Sequence, residues 1–256
     1  MTVEEPQEKR MPLGDHLEEL RRRVIYSVIA VGFALLVAIL FRNVILRLLM
    51  KPVLDALREE FPGQASLVLF SPGESFVVIL RVCTYAGIFL ASPVVFWQLW
   101  KFVSAGLYPR ERKYVHIFAP LTFLLFICGT LFSYFLVLRV AVHYLLRIGP
   151  QDIFRPQFNA SQTLSFVVQL SFGFGLVFET PLVMLFLSKV GVAKPAQFRK
   201  FRRYAYLLIF IVAACLTPGP DIYSQFLMAI PMLGLYELGI LLSLIRFSRP
   251  KQESPA

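Results

Sequence analysis

The sequence Phe102-Val-Ser-Ala-Gly-Leu-Tyr-Pro-Arg-Glu-Arg-Lys-Tyr114 is a short polar bridge between two long apolar segments. Gly106 and Pro109 favour a turn, so we predict a tight loop held at both ends by membrane helices. Glu111 is the only acid of this bridge, and the bases around it are Lys101, Arg110, Arg112 and Lys113. Two interpretations stay open: a basic loop that orients the protein in the membrane, with Glu111 balancing its neighbours, or a binding site that uses Glu111.

The composition indicates an integral membrane protein. Hydrophobic residues make up 57% of the 256 residues and the mean hydropathy is +0.66, with the apolar residues gathered in runs. Such a chain is too apolar for a soluble domain of this length. The net charge of +10 would suggest nucleic acid in a soluble protein, but the bases lie at the ends of the apolar runs. They are therefore expected to orient helices in the bilayer, and no nucleic-acid partner is predicted.

Cysteines and histidines give no sign of a metal site or a catalytic centre. The three cysteines, Cys83, Cys128 and Cys215, fall in three different apolar runs with no histidine at ligand spacing. Neither a disulfide framework nor a metal site is indicated. The sequence also lacks the nucleophile, zinc and phosphate-loop motifs of common enzymes. We therefore predict a protein that is not an enzyme and has no cofactor.

Six apolar runs predict six transmembrane helices, which are 24–41, 76–100, 115–138, 164–190, 204–216 and 222–244. The fifth run spans roughly 20 Å, against a hydrocarbon core of about 30 Å. The predicted fold is an all-α integral membrane protein with six helices in one bundle, the last two of them short. Glu179 of the fourth run lies eleven residues, or roughly 16 Å, from the end of the run, and therefore near the membrane midplane.

Polar segments divide the chain into three regions: an N-terminal segment 1–23, a transmembrane domain 24–245 and a tail 246–256 that we expect to be disordered. Leucines at helical spacing predict that Asp15–Arg23 is a short amphipathic helix on the membrane surface, in which Glu19 and Arg23 form an i,i+4 pair. Asn43–Glu60 is predicted to be a second interfacial helix, on the far side and kinked at Pro52. Ser71-Pro-Gly-Glu74 has the pattern of a capping box that starts the second span.

Basic residues predict which ends of the helices face the cytoplasm. With six spans, both termini lie on one side, together with the loops 101–113 and 189–203. This side carries 18 of the 26 lysines and arginines. The positive-inside rule therefore places both termini in the cytoplasm.

Several motifs occur together and in a characteristic order. They are His16-Leu-Glu-Glu-Leu-Arg21, Pro93-Val-Val-Phe-Trp-Gln-Leu-Trp-Lys-Phe102, Gly106-Leu-Tyr-Pro-Arg-Glu-Arg-Lys113, Phe178-Glu-Thr-Pro181 and Leu216-Thr-Pro-Gly-Pro-Asp-Ile-Tyr-Ser-Gln225. Through them the chain resembles the TatC family, the multispanning core subunit of the twin-arginine protein translocase, over nearly all of residues 11–245. One departure is visible, because relatives often carry a proline within the segment Val-Ser-Ala-Gly-Leu that follows Phe102.

The resemblance implies a receptor for twin-arginine signal peptides of folded cargo proteins in the bacterial plasma membrane, with export driven by the proton-motive force. It implies that Glu19 and Glu111 receive the arginine pair, with Arg21 and Phe102 in the same patch. Glu179 matches the family's acid within the fourth span, and we group Gln169 with it as a polar position for partner docking. Three further residues match the far-side loops of the family: Pro52, Asp221 and Gln225. The implied partners are single-span subunits of the TatA/TatB type, membrane lipid and further copies of the chain in a larger complex.

The chemistry of arginine recognition agrees with two carboxylates. A guanidinium presents a planar fork that a carboxylate can meet with two hydrogen bonds, and lysine cannot reproduce that geometry. The alternative from another class is a proton-coupled small-solute transporter that uses Glu179, since acids within membranes often mark ion pathways. Against it, the sequence shows no pair of interrupted helices and no internal duplication.

Overall fold

The computed structural model describes residues 13–61, 67–107, 112–147, 157–217 and 222–245, which are almost entirely helical. The helices are α1 (Leu13–Leu40), α2 (Arg42–Glu60), α3 (Glu74–Ala105), α4 (Arg112–Phe132), α5 (Leu138–Arg147), α6 (Ala160–Phe178), α7 (Thr180–Val190), α8 (Pro195–Lys200), α9 (Arg202–Leu216) and α10 (Ile222–Ser243). Two strands of two residues, β1 (Leu67–Val68) and β2 (Phe158–Asn159), pair in parallel. The prediction of an all-α chain missed this small ladder, because its strands are too short to show a periodic pattern.

Five stretches of the described chain are long and apolar enough to cross a membrane, namely Gly14–Leu40, Glu74–Ala105, Val115–Arg147, Ala160–Val190 and Ile222–Ser243. They correspond to predicted spans one to four and six. The remaining predicted span is α9, whose 15 residues reach about 22 Å. α10 has 22 residues, or about 33 Å, so the prediction that both of the last two spans are short is wrong for the last one.

The chain divides into two compact units. The first unit contains α1 and α3, which pack along each other. α1 is one uninterrupted helix, so the predicted amphipathic segment leads into the first span without a break. One core cluster of this unit consists of apolar side chains from α2, α3 and α6: Met50, Val78, Val82, Leu164 and Val168. The predicted helix 43–60 is confirmed as α2, which continues through Pro52; its interfacial position and the kink at this proline stay predictions.

The start of α3 differs from the predicted capping box. Gly73 is the N-cap residue, and no side chain caps the helix. The carboxylate of Glu74 instead accepts hydrogen bonds from the Phe70 N–H at 2.6 Å and from Asn159 Nδ2 at 2.5 Å. Because Asn159 is in β2, the acid that the capping pattern assigned to a local role links the start of α3 to the strand pair.

The second unit is built around α10, which packs against α7 and α9. Met184, Tyr236 and Ile240 form its core at the α7 contact. The predicted basic loop 189–203 contains the short helix α8, and the Tyr236 hydroxyl donates a hydrogen bond of 2.9 Å to the Phe198 carbonyl in this helix.

Two irregular turns in this unit were not predicted. α4 passes into α5 through a π-helical turn, Ser133–Val137. The predicted fourth span consists of α6 and α7, which meet at Glu179; this residue follows the last residue of α6, has helical backbone angles and is the N-cap residue of α7. Pro181 lies in the first turn of α7, and its missing N–H is the physical reason why the α6 hydrogen-bond ladder stops there.

Candidate functional site

An open groove of about 650 Å³ lies in the first unit, where α1 passes the end of α3 and the start of α4. Its lining residues are mostly polar, charged or aromatic, and they are Glu19, Arg23, Trp97, Lys101, Ser104, Ala105, Arg112, Val115 and His116. The polar bridge 102–114 joins the two helices whose ends form the groove.

Antiparallel packing of α1 on α3 brings these residues together. Leu35 of α1 lies against Gly87 of α3, whereas Arg23 nearer the start of α1 bonds to Gln98 near the end of α3. The polar beginning of α1 therefore lies beside the aromatic and basic end of α3. α4 is attached to this end by a hydrogen bond of 2.8 Å from Trp100 Nε1 to Thr122 Oγ1.

Glu19 is held by an ion pair within the groove. Arg23 Nε donates a hydrogen bond of 2.7 Å to Glu19 Oε1, and Arg23 Nη2 contacts the same oxygen. The side chains of Glu19 and Arg23 are 22% and 21% exposed, so the predicted i,i+4 pair is confirmed but is more buried than a surface pair. Arg23 Nη1 also donates to Gln98 Oε1 at 3.1 Å. Sequence reasoning missed Gln98, because nothing local to its segment connects it with Arg23.

Cations and aromatic rings also line the groove. Lys101 Nζ lies 5.5 Å from the centre of the Trp97 ring, which is a cation–π distance, and the His116 ring lies 6.1 Å from the same ring. Among the described lining residues, Glu19 is the one acid beside the basic Arg23, Lys101 and Arg112. Within this described lining, Glu19 is therefore the side chain whose charge attracts a cationic ligand.

The other residues predicted to bind the signal peptide are Phe102, Arg21 and Glu111, and none of them is among the described lining residues of the groove. Phe102 stacks on the His16 ring with their centres 4.6 Å apart. Arg21 is 72% exposed, and it forms an ion pair with Glu18 at 3.8 Å. Glu111 lies outside the described residues; the chain is described again from Arg112, the next residue, which lines the groove.

The predicted intramembrane and far-side residues are also distributed over several elements. Glu179 is buried at the break between α6 and α7. Gln169 donates a hydrogen bond of 2.8 Å to the Cys215 carbonyl in the last turn of α9, and Gln225 donates one of 3.0 Å to the Phe210 carbonyl. Pro52 is half-buried within α2, and Asp221 lies outside the described residues.

Comparison with known proteins gives the family. A family model described as Sec-independent protein translocase protein (TatC) matches residues 15–231. The chain belongs to the TatC family. The TatC of Carboxydothermus hydrogenoformans is 40% identical to it over 97% of this chain and 98% of the relative. The TatC of Aquifex aeolicus is 36% identical over 94% of this chain and 98% of the relative.

Solved TatC structures have the same fold. A crystal structure of the twin-arginine translocase receptor TatC aligns with a TM-score of 0.79 at 35% identity, covering 89% of this chain and 97% of the solved one. A second crystal structure, of the same receptor in DDM, aligns with a TM-score of 0.81 at 35% identity, covering 90% of this chain and all of the solved one. The TatC family consists of protein translocase components of the membrane and is not a recognised enzyme family, which disfavours the alternative of a small-solute transporter.

Proposed function

We propose that this chain is the receptor subunit of a twin-arginine translocation system, and that Glu19 and Glu111 bind the arginine pair of the signal peptide on the cytoplasmic face. The observation that carries the proposal is the placement of Glu19 in the groove at the junction of α3 and α4. The loop between these helices carries Glu111, and Arg112 beside it lines the same groove. The family membership supports the same role.

The binding free energy of a signal peptide requires a contribution from outside the groove. A hydrogen bond to a charged group is worth about 1.5 to 3 kcal/mol, so two guanidinium–carboxylate contacts supply roughly 3 to 6 kcal/mol. Micromolar binding needs about 8 kcal/mol. The apolar segment of the signal peptide therefore contributes the rest, along the exposed apolar faces of the membrane helices.

The same proposal includes the assembly. The receptor works in the bacterial plasma membrane with single-span partner subunits of the TatA/TatB type, and with further copies of itself, to export folded cargo driven by the proton-motive force. The buried acid Glu179 and the polar Gln169 belong to the part of the chain where a partner helix docks, and Pro52, Asp221 and Gln225 belong to the far-side region. The burial of Glu179 supports this, since a carboxyl group within a membrane segment is energetically costly and marks a candidate functional position.

Peptide binding to purified protein tests the receptor role. Glu19→Gln and Glu111→Gln keep the side-chain size but remove the charge, so each should weaken binding of a labelled twin-arginine peptide by about 1 to 3 kcal/mol. Glu18→Gln is the matched control, because Glu18 is the neighbouring acid but is 73% exposed and does not line the groove. Folded Glu19→Gln and Glu111→Gln proteins with wild-type affinity would place the site elsewhere.

A further inference from the structure

Among the described residues, the contacts of Arg23 with Glu19 involve one of the two carboxylate oxygens. Both Nε and Nη2 of Arg23 bind Oε1. Oε2 accepts no side-chain hydrogen bond from the described part of the chain, and Glu19 lines the groove. A carboxylate oxygen accepts up to two hydrogen bonds, so Oε2 can receive a donor while Arg23 stays in place.

Gln98 fixes the guanidinium of Arg23 from the neighbouring helix. The Oε1 atom of Gln98 accepts a hydrogen bond from Arg23 Nη1. The planar guanidinium of Arg23 therefore donates to Glu19 on its own helix, α1, and to Gln98 on α3, through different nitrogens. This arrangement restrains the long side chain of Arg23, which in turn restrains the carboxylate of Glu19. Without it, Glu19 could turn to Lys101 or Arg112, which line the same groove. Such an internal pair would compete with any incoming cation.

We propose that Arg23, held by Gln98, is a positioning residue that orients Glu19 so that Oε2 accepts the guanidinium of a signal-peptide arginine. This inference rests on the proposed function. The incoming arginine shares the carboxylate with Arg23 and does not replace it. Although Arg23 is a cation beside a site for cations, its removal should weaken binding of the signal peptide. Charge repulsion alone predicts the opposite.

The experiment measures binding of a labelled twin-arginine peptide to the purified full chain. Arg23→Gln should weaken binding about fivefold or more, since the carboxylate loses its fixed orientation. Arg23→Lys should also weaken it, because an ammonium group keeps the charge but cannot hold Glu19 and Gln98 with one planar fork. Gln98→Leu, which leaves every charge unchanged, should weaken binding by a smaller factor. Arg22→Gln is the control and should change it less than about twofold, because Arg22 is exposed, bonds to Tyr26 and does not line the groove.

The outcomes show whether Arg23 acts by positioning Glu19, by its charge alone, or only by keeping the protein folded. Arg23→Gln protein that binds as tightly as the wild type, or more tightly, would overturn the inference, and so would full rescue by Arg23→Lys. In the Glu19→Gln background the Arg23→Gln effect should disappear, because the residue acts through Glu19; an undiminished effect there would also overturn it. If Arg23→Gln does not fold, Gln98→Leu decides: wild-type affinity would contradict the inference.

The same set of variants shows whether this inference fails alone or the proposed function fails with it. An unchanged affinity of the Glu19→Gln protein would remove the receptor site itself and the positioning role with it. A weakened Glu19→Gln protein together with an unaffected Gln98→Leu protein and a tighter Arg23→Gln protein would leave the receptor role standing. That result would mean that Arg23 acts only by repulsion.

Discussion

Gly87 of α3 lies so close to Leu35 of α1 that a Cβ atom at position 87 would come within 2.9 Å of the Leu35 Cα atom. The neighbouring atom belongs to the backbone, so it cannot move aside without separating the helices. The glycine is therefore required for the contact between the two helices that carry most of the groove. The register of α1 on α3 near this contact also decides which residues meet Glu19 and Arg23.

We first expect Gly87→Val to destabilise the protein, by roughly 1 to 3 kcal/mol for an overpacked contact. Its thermal unfolding in detergent should occur at a lower temperature, and peptide binding in the groove should weaken as α1 and α3 separate. Gly32→Val is the matched control, because position 32 of α1 has open space around an added Cβ atom. Equal melting temperatures for the Gly87→Val and wild-type proteins would contradict this account of the packing.

The second prediction concerns orientation in the membrane. From the excess of bases we expect both termini and the loops around Glu111 and Arg199 to face the cytoplasm. In a version of the protein without its native cysteines, single cysteines at Gln64 and Gln157 should react with an impermeant thiol reagent added from outside, whereas one at Gln197 should not. The reverse labelling pattern would show the opposite orientation.

The third prediction separates two roles of the buried Glu179. A fixed charge near the membrane midplane costs at least about 2.5 kcal/mol when it is unpaired, so we expect a polar anchor for a partner helix and not a permanent charge. Glu179→Gln keeps a hydrogen-bonding group and should retain most export. Glu179→Ala should bind signal peptide normally but lose export and crosslinking to the partner subunit at α6 and α7.

Export assays on the wild-type, Glu179→Gln and Glu179→Ala proteins check this prediction alongside the crosslinking. Full export by Glu179→Ala would exclude the anchor role. An equal loss in both substituted proteins would indicate a group that must titrate, as a proton carrier does.

The fourth prediction is a pH dependence at the end of α2. A hydrogen bond with His143, at 2.9 Å, lowers the pKa of Glu59 from its ordinary value, and the charge of Arg139 acts in the same direction. A lowered pKa in the folded state means that the contribution to stability is complete above the unfolded-state pKa and is lost as pH falls through the folded-state pKa. Glu59→Gln should therefore melt slightly below the wild type at neutral pH, because exposed pairs contribute little, and the difference should vanish in acid.

Glu18→Gln serves as the control for the pH series, since Glu18 belongs to another helix and its ion pair with Arg21 is exposed. If the difference in melting temperature between the Glu59→Gln and wild-type proteins widens as the pH falls, the predicted direction of the pH dependence is wrong.

Sequence patterns predicted the helices well where the determinants are local. The predicted run 222–244 is α10, Ile222–Ser243, and the predicted run 204–216 is α9, Arg202–Leu216. Local patterns predicted the partners of polar residues less well, because a polar side chain can also bond to a residue that is distant in sequence. The side-chain cap that the Ser71 pattern predicts is missing, and the carboxylate of Glu74 bonds to Asn159, 85 positions away. The fourth span divides into α6 and α7 at Glu179, and hydropathy alone, which is continuous there, does not show this division.

For this protein the sequence by itself determined that the chain is a helical membrane protein, that it resembles the TatC family, and that Glu19 pairs with Arg23 one turn later. These properties depend on apolar runs, ordered motifs and helical spacing, all of which are local along the chain. Only the tertiary structure decided that Gln98 holds Arg23 from 75 positions away, and that Arg21 is exposed and does not line the groove that contains Glu19. The physical reason is that the register between α1 and α3 is set by close packing at Gly87, and side chains far apart in sequence meet only once that register exists.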